Sequence, residues 1–237
     1  MKKMVALAMA ATMALSLTAC GSSEKPAETA APATEAAAPA EGPSEAAPAE
    51  STESKKALEG KKVGFAQTDS MSAWRTTETD SIKEYVENAG GEFIVKDAGG
   101  DIATQESDIR DLVAAGVDYL VVAPLENNGL QGALQEAMES NIPVILVDRA
   151  IDGEAGTHYT TAIMSDFIWE GEQCAKALTE ALPDGGNVVI INGGYDSSTS
   201  TDRQDGFVKG LDSSKFKIVA EQDGEWLMDK AQAVMEN

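Results

Sequence analysis

Two cysteines and one histidine are all that this chain offers as thiol or imidazole ligands. That is too few for a zinc-type cluster, and His158 alone leaves little scope for a Ser-His catalytic pair. There is no CxxC and no disulfide framework, so stability must come from a packed core. Basic residues are also scarce: 18 Lys and Arg stand against 40 Asp and Glu, a formal net charge of −22. Such a chain is repelled by phosphate backbones, which excludes nucleic acid as a partner. The glycine patterns G-x-G-x-x-G, G-x-x-x-x-G-K-[ST] and G-x-S-x-G are missing. Asp196-Ser198-Ser200-Asp202 alternates like a calcium loop, but Thr201 replaces its glycine and Phe207 its glutamate, so it reads as a polar helix entry. No two carboxylates pair persuasively for glycoside hydrolysis. No enzyme activity, cofactor or metal is expected.

What the chain does have begins with its one long apolar run. Lys2 and Lys3 precede Met4 to Leu17, a stretch too short to span a bilayer as a mature helix. This is the build of a secretory signal. Its end, Leu17-Thr18-Ala19-Cys20-Gly21, resembles the lipobox of bacterial lipoproteins. The resemblance implies that 1–19 is a signal peptide cleaved before Cys20, and that Cys20 carries a lipid anchor holding the protein on a membrane. Residues 20–57 hold five of the eight prolines and no aromatics, amid Ala, Glu, Ser and Thr. They cannot bury enough apolar surface to offset ordering entropy, so a disordered tether with a reach of roughly 30–35 Å is expected. Cys174, on a predicted helix, reads as a small buried hydrophobe.

From Lys61 onward apolar runs alternate with amphipathic stretches. Strands are expected at 62–67, 92–97, 118–123, 143–148, 187–192 and 215–221, and helices at about 72–89, 102–115, 127–140, 166–182, 200–211 and 227–237. Gly90-Gly91, Gly116 and Asn141 are placed to close helices. The pattern predicts an α/β fold of right-handed βαβ units on parallel sheets. The stretch Pro143 to Arg149 is its most informative part. Five apolar residues run into Asp148 and Arg149, as in a strand buried on both faces. Ligands of open α/β sheets bind beyond such carboxyl ends. A carboxylate beside a five-donor guanidinium suits neighbouring hydroxyls, though solvated strand-end charges would look the same. The rhythm breaks at 150–165, with a short strand near 158–163 and a hinge near Met164-Ser165. Two lobes follow, 58–164 and 165–237. The second has only two strands and an uncapped terminal helix pattern, so an incomplete lobe and a fragment are expected.

These residues resemble periplasmic sugar-binding proteins of ABC importers, the ribose-binding-like group with the type I periplasmic-binding-protein fold. The galactofuranose-binding branch is the nearest in pattern. The likeness rests on Val63-Gly64-Phe65-Ala66-Gln67, Ser70, Trp74-Arg75-Thr76, Gly116-Val117-Asp118, Ala123-Pro124 and Ile142-Pro143-Val144 with Asp148-Arg149. It continues in Asp202-Arg203-Gln204-Asp205-Gly206-Phe207 and Asp223-Gly224-Glu225-Trp226. The resemblance implies two lobes, each a parallel sheet flanked by helices, closing over a monosaccharide that is galactofuranose- or ribose-like. It places Ser70, Trp74, Arg75, Asp148, Arg149, Phe167, Arg203 and Trp226 at the ligand. Phe167 is a departure, standing where the family commonly has Asn after Asp166, which removes a hydrogen bond. Charged donors and acceptors suit a sugar's hydroxyl rim, and Trp rings suit its C–H face. The implied partners are the transmembrane subunits of an ABC permease, with the protein a monomer. The other role open to the same fold is a sensory subunit presenting sugar to a chemoreceptor or histidine kinase. A transcription regulator would need a basic helix-turn-helix, which is missing.

Overall fold

The computed structural model describes residues 56–236. The signal segment 1–19, Cys20 and all but the last two residues of the 20–57 tether lie outside the described residues.

Five short runs rich in Val and Ile make the first sheet. They are β1 (Lys62–Gln67), β2 (Glu92–Asp97), β3 (Tyr119–Val122), β4 (Val144–Val147) and β5 (Thr161–Ile163). All pair in parallel, in the order β2-β1-β3-β4-β5. Alternation along β1 divides the core between the two faces of the sheet. Ala66 joins Ile109, Leu112, Leu120, Leu134 and Leu146 under α2 (Ile102–Ala114) and α3 (Gln131–Glu139). Val63 and Phe65 join Val86 and Val121 under α1 (Ala73–Asn88). One face of α2 turns to this core: Ile109 and Leu112 are fully buried, and Ile102 and Val113 pack against the same cluster.

Helix ends follow the expected chemistry. Ser72 Oγ accepts from Arg75 N at 3.2 Å and Asp101 Oδ1 from Thr104 N at 2.7 Å, capping α1 and α2. Gly90, Gly116 and Asn141 follow α1, α2 and α3 at φ of +86°, +72° and +59°.

The remaining described elements are α4 (Phe167–Ala181), β6 (Gly186–Asn192), α5 (Ser198–Gly210), β7 (Phe216–Asp223) and α6 (Met228–Glu236). β6 and β7 pair in parallel as a second sheet, with a register shift between Val188 and Val189. Glycines bring α4 and α5 into backbone contact. A Cβ on Gly171 would collide with the Arg203 carbonyl, and one on Gly206 with the Ile168 carbonyl.

Three expectations need correction. β4 is not buried on both faces: Val144 and Leu146 are buried, whereas Ile145 and Val147 are half-buried, because β4 lies one strand in from an edge formed by the three-residue β5. α3 starts at Gln131 rather than 127, because Asn127 to Leu130 form a turn in which Gly129 sits at φ +106° and donates to Gln131 Oε1 at 2.8 Å. Cys174 is exposed rather than buried. The buried stripe of α4 is Phe167, Gly171 and Ala175, spaced four apart, and Cys174 falls to one side of it.

Candidate functional site

The carboxyl ends of β1 and β4 bring three charged side chains into line. β1 ends at Gln67, and a short loop leads into α1, whose first turn carries Trp74 and Arg75. Arg75 is only 5 % exposed. Its Nη1 donates to Glu78 at 2.9 Å and its Nη2 to Asp148 Oδ2 at 2.8 Å. Gln67 Nε2 donates to Glu78 Oε2 at 3.0 Å and holds that carboxylate in place. The guanidinium carbon of Arg75 lies 4.8 Å from the centroid of the Trp74 ring.

Past the end of β4 the chain turns sharply. Asp148 takes a left-handed φ of 65°, unusual for a residue with a side chain. Backbone strain of this kind clusters at ligand sites. The turn directs Arg149 inward, where it is 6 % exposed. Its Nη1 donates to the Leu125 carbonyl at 2.9 Å, and its Nε lies 3.5 Å from Asp148 Oδ2. That Nε is buried without a hydrogen-bond partner. Burial, and next the like charge of Arg75, push the Arg149 guanidinium down to about 10, while Asp148 opposes the shift. It therefore remains a cation at neutral pH.

The second sheet faces this line with its own strand ends. β6 leads into Gly193-Gly194-Tyr195-Asp196, and β7 into Gly224-Glu225-Trp226. Glu225 and Trp226 are consecutive left-handed residues at φ 51° and 58°. Asp223 Oδ1 accepts from Glu225 N at 2.7 Å, and the Asn192 carbonyl from Gly224 N at 2.7 Å. This turn stands Trp226 against Gly193, with the guanidinium carbon of Arg149 5.4 Å from its ring centroid. The two halves also touch directly. Asn127 N donates to the Asp196 carbonyl at 2.9 Å, and Ala150 N to Ser198 Oγ at 2.9 Å.

Between these strand ends lies a cavity of about 610 Å³. Of the residues singled out from sequence, Trp74, Arg75, Asp148, Arg149, Arg203 and Trp226 line it. Arg203 also donates through Nε to Glu170 at 2.7 Å and stacks 4.6 Å from the Phe167 centroid. Ser70 and Phe167 do not line the cavity. Ser70 is exposed in the loop before α1, and Phe167 lines a neighbouring groove with Trp74, Ile163 and Met164.

Several lining residues were not placed at the ligand from sequence: Asp69, Leu125, Glu126, Tyr195, Asp196, Thr199, Asp223 and Glu225. The available signal was positional, since most of them follow the carboxyl end of a strand. Six carboxylates (Asp69, Glu126, Asp148, Asp196, Asp223 and Glu225) and three guanidiniums line the cavity together. A set rich in acceptors and interspersed with fixed donors can bind hydroxyls and disfavours anions. Among the described residues no group of three His, Cys, Asp or Glu is placed to hold a metal ion.

The family model described as "periplasmic binding protein domain" matches residues 63–237. The chain belongs to the periplasmic binding protein family. It is 33 % identical to the galactofuranose-binding protein YtfQ of Escherichia coli (strain K12) over 177 residues, which is 74 % of this chain and 56 % of that protein. Among solved structures, it superposes with a TM-score of 0.71 and 31 % identity on the periplasmic binding component of the arabinose ABC transporter from Shewanella sp. ANA-3, bound to α- and β-L-arabinofuranose. That match covers 74 % of this chain and 58 % of the other. It also matches the fructose-binding periplasmic domain of a hybrid two-component system, at a TM-score of 0.68 and 27 % identity over 74 % of this chain and 58 % of that one. The chain thus spans a little over half the length of these periplasmic binding proteins. The parallel sheets flanked by helices are the architecture of the family's type I fold. No helix among the described residues is long and apolar enough to cross a membrane.

Proposed function

We propose that this periplasmic binding protein captures a neutral monosaccharide outside the cytoplasm and delivers it to the transmembrane subunits of an ABC permease, without acting on it chemically. The observation that carries this reading is the buried line Arg75–Asp148–Arg149 facing Trp226 across the cavity. Charged donors and acceptors, fixed by one another before a ligand arrives, lose little freedom on binding sugar hydroxyls. The indole nearby offers apolar surface to a sugar's C–H face. The excess of carboxylates around the cavity disfavours sugar acids and sugar phosphates. Two of the similar proteins bind furanoses by name, which favours a sugar in its furanose form, galactofuranose or a pentofuranose.

Calorimetric titration of the full chain with arabinose, ribose, fructose and a galactofuranoside tests this, with gluconate and a hexose phosphate as anionic controls. Saturable binding of at least one neutral sugar is expected, with no heat from the anions. A preference for the phosphate ester would sink the reading. The sensory alternative is favoured by the two-component relative. It shares the site and differs in partner, so co-purification with a permease subunit or with a receptor ectodomain separates the two.

The attachment proposed here is a lipid on Cys20, after loss of residues 1–19, with 20–57 as a tether and a monomeric pair of lobes at 58–164 and 165–237. One acyl chain holds a membrane only marginally, so stable anchoring needs more than one. Cys20→Ser is expected to move the protein from the membrane fraction into soluble or unprocessed form. A variant that stays membrane-bound and labelled by palmitate would refute the anchor.

A further inference from the structure

Trp226 stands where it does because residue 193 has no side chain. An ideal Cβ on Gly193 would run into the fused bond of the indole, meeting its Cδ2 and Cε2. No other glycine around the cavity is covered by an aromatic ring in this way: Gly194 meets only the indole edge, at 3.4 Å, and Gly100 meets only Met71, at 3.5 Å. Gly193 itself does not adopt a left-handed φ, so the indole, and not the backbone conformation, is what excludes a side chain there. Trp226 is 45 % exposed, and it is the backbone of its turn that is held. Its left-handed turn is held before the ring by Asp223 Oδ1 on Glu225 N and by the Asn192 carbonyl on Gly224 N, and after it by the Gly224 carbonyl on Leu227 N. Its ring lies beside the buried Arg149, whose guanidinium carbon is 5.4 Å from the centroid.

We propose that Gly193 is a positioning residue that seats Trp226 and, through it, sets both the width of the cleft and the placement of Arg149. The glycine touches the ring, and the ring bounds the cavity. Any side chain at 193 displaces the indole into the space that a ligand uses, or tips it away from the guanidinium. The ligand arm of the inference rests on the sugar reading above; the seating arm does not.

The test uses the full chain with Gly193→Ala, Trp226→Ala and both together. Without sugar, the emission and acrylamide quenching of Trp226 are isolated by subtracting the Trp226→Ala spectrum. They are expected to change in Gly193→Ala, while circular dichroism stays that of the parent. With the sugar that the parent binds, Gly193→Ala is expected to weaken affinity about tenfold or more. In the Trp226→Ala background the same glycine change should have almost no further effect, since the ring it displaces is gone. A glycine needed only for loop conformation would give additive losses, and that result overturns the proposal. So does an unchanged Trp226 signal in Gly193→Ala. If the parent binds no sugar at all, the transport reading fails, and the sugar-free fluorescence still decides the seating.

Discussion

Replacing Arg149 by alanine is expected to weaken sugar binding by roughly 30- to 1000-fold, about 2–4 kcal/mol. The size follows from where the guanidinium lies. It is 6 % exposed, one nitrogen is committed to the Leu125 carbonyl, and Nε is buried without a partner. A desolvated cation with spare donors makes strong hydrogen bonds to ligand oxygens. The carboxylate beside it is not orphaned by the substitution, because Arg75 keeps its 2.8 Å contact with Asp148. The loss should therefore appear in affinity far more than in the stability of the sugar-free protein, where removing a buried charge offsets the lost contacts. Arg149→Lys should recover little, since a point charge does not reproduce the planar fork. Alkali should mimic the alanine. With the guanidinium pushed down to about 10, the binding form is the protonated one, so affinity is flat through neutral pH and falls as pH rises through that value. Calorimetry on parent, Arg149→Ala and Arg149→Lys checks this, with thermal melts alongside. A solvated strand-end arginine predicts a change under about 0.5 kcal/mol, and that outcome would sink the site assignment.

Gly206→Ala should cost about 2 kcal/mol of folding stability, against the usual direction of the change. In an open helix alanine is better than glycine by about 1 kcal/mol. Here the added Cβ meets the Ile168 carbonyl on α4, and a backbone atom cannot rotate aside. Gly171, Ala175 and Gly210 line the same seam, so the helices can relieve the clash only by separating. Separation would also loosen the Arg203–Glu170 ion pair and the stacking of Arg203 on Phe167. Overpacking of roughly 3 kcal/mol therefore outweighs the propensity gain. For a folded part of this size the thermal midpoint should drop by roughly 4–8 °C. Gly186→Ala is the control: nothing lies within 4 Å of its Cβ position and its φ is not left-handed, so it should melt like the parent or slightly above. Equal midpoints for Gly206→Ala and Gly186→Ala would mean that the seam is not close-packed.

How much of this was legible in advance depended on the range of the interaction. β1 and β2 begin and end at the residues expected from sequence, because a short apolar run bounded by charged and polar residues is a local signal. The caps at Gly90, Gly116 and Asn141 were legible for the same reason. Asp148 and Arg149 could be placed near a ligand because the carboxyl end of a parallel strand is where such sheets bind. Whether those charges were solvated or buried could not be read there. That was decided by Arg75, 73 residues from Asp148 in sequence, which joins it only once α1 has docked against the sheet. The exposure of Cys174, the displacement of Phe167 into a neighbouring groove and the seating of Trp226 on Gly193 belong to the same class. Each depends on the rotation of a helix or the approach of two loops. Those are set by packing against residues far along the chain, so no local pattern of residue types carries them.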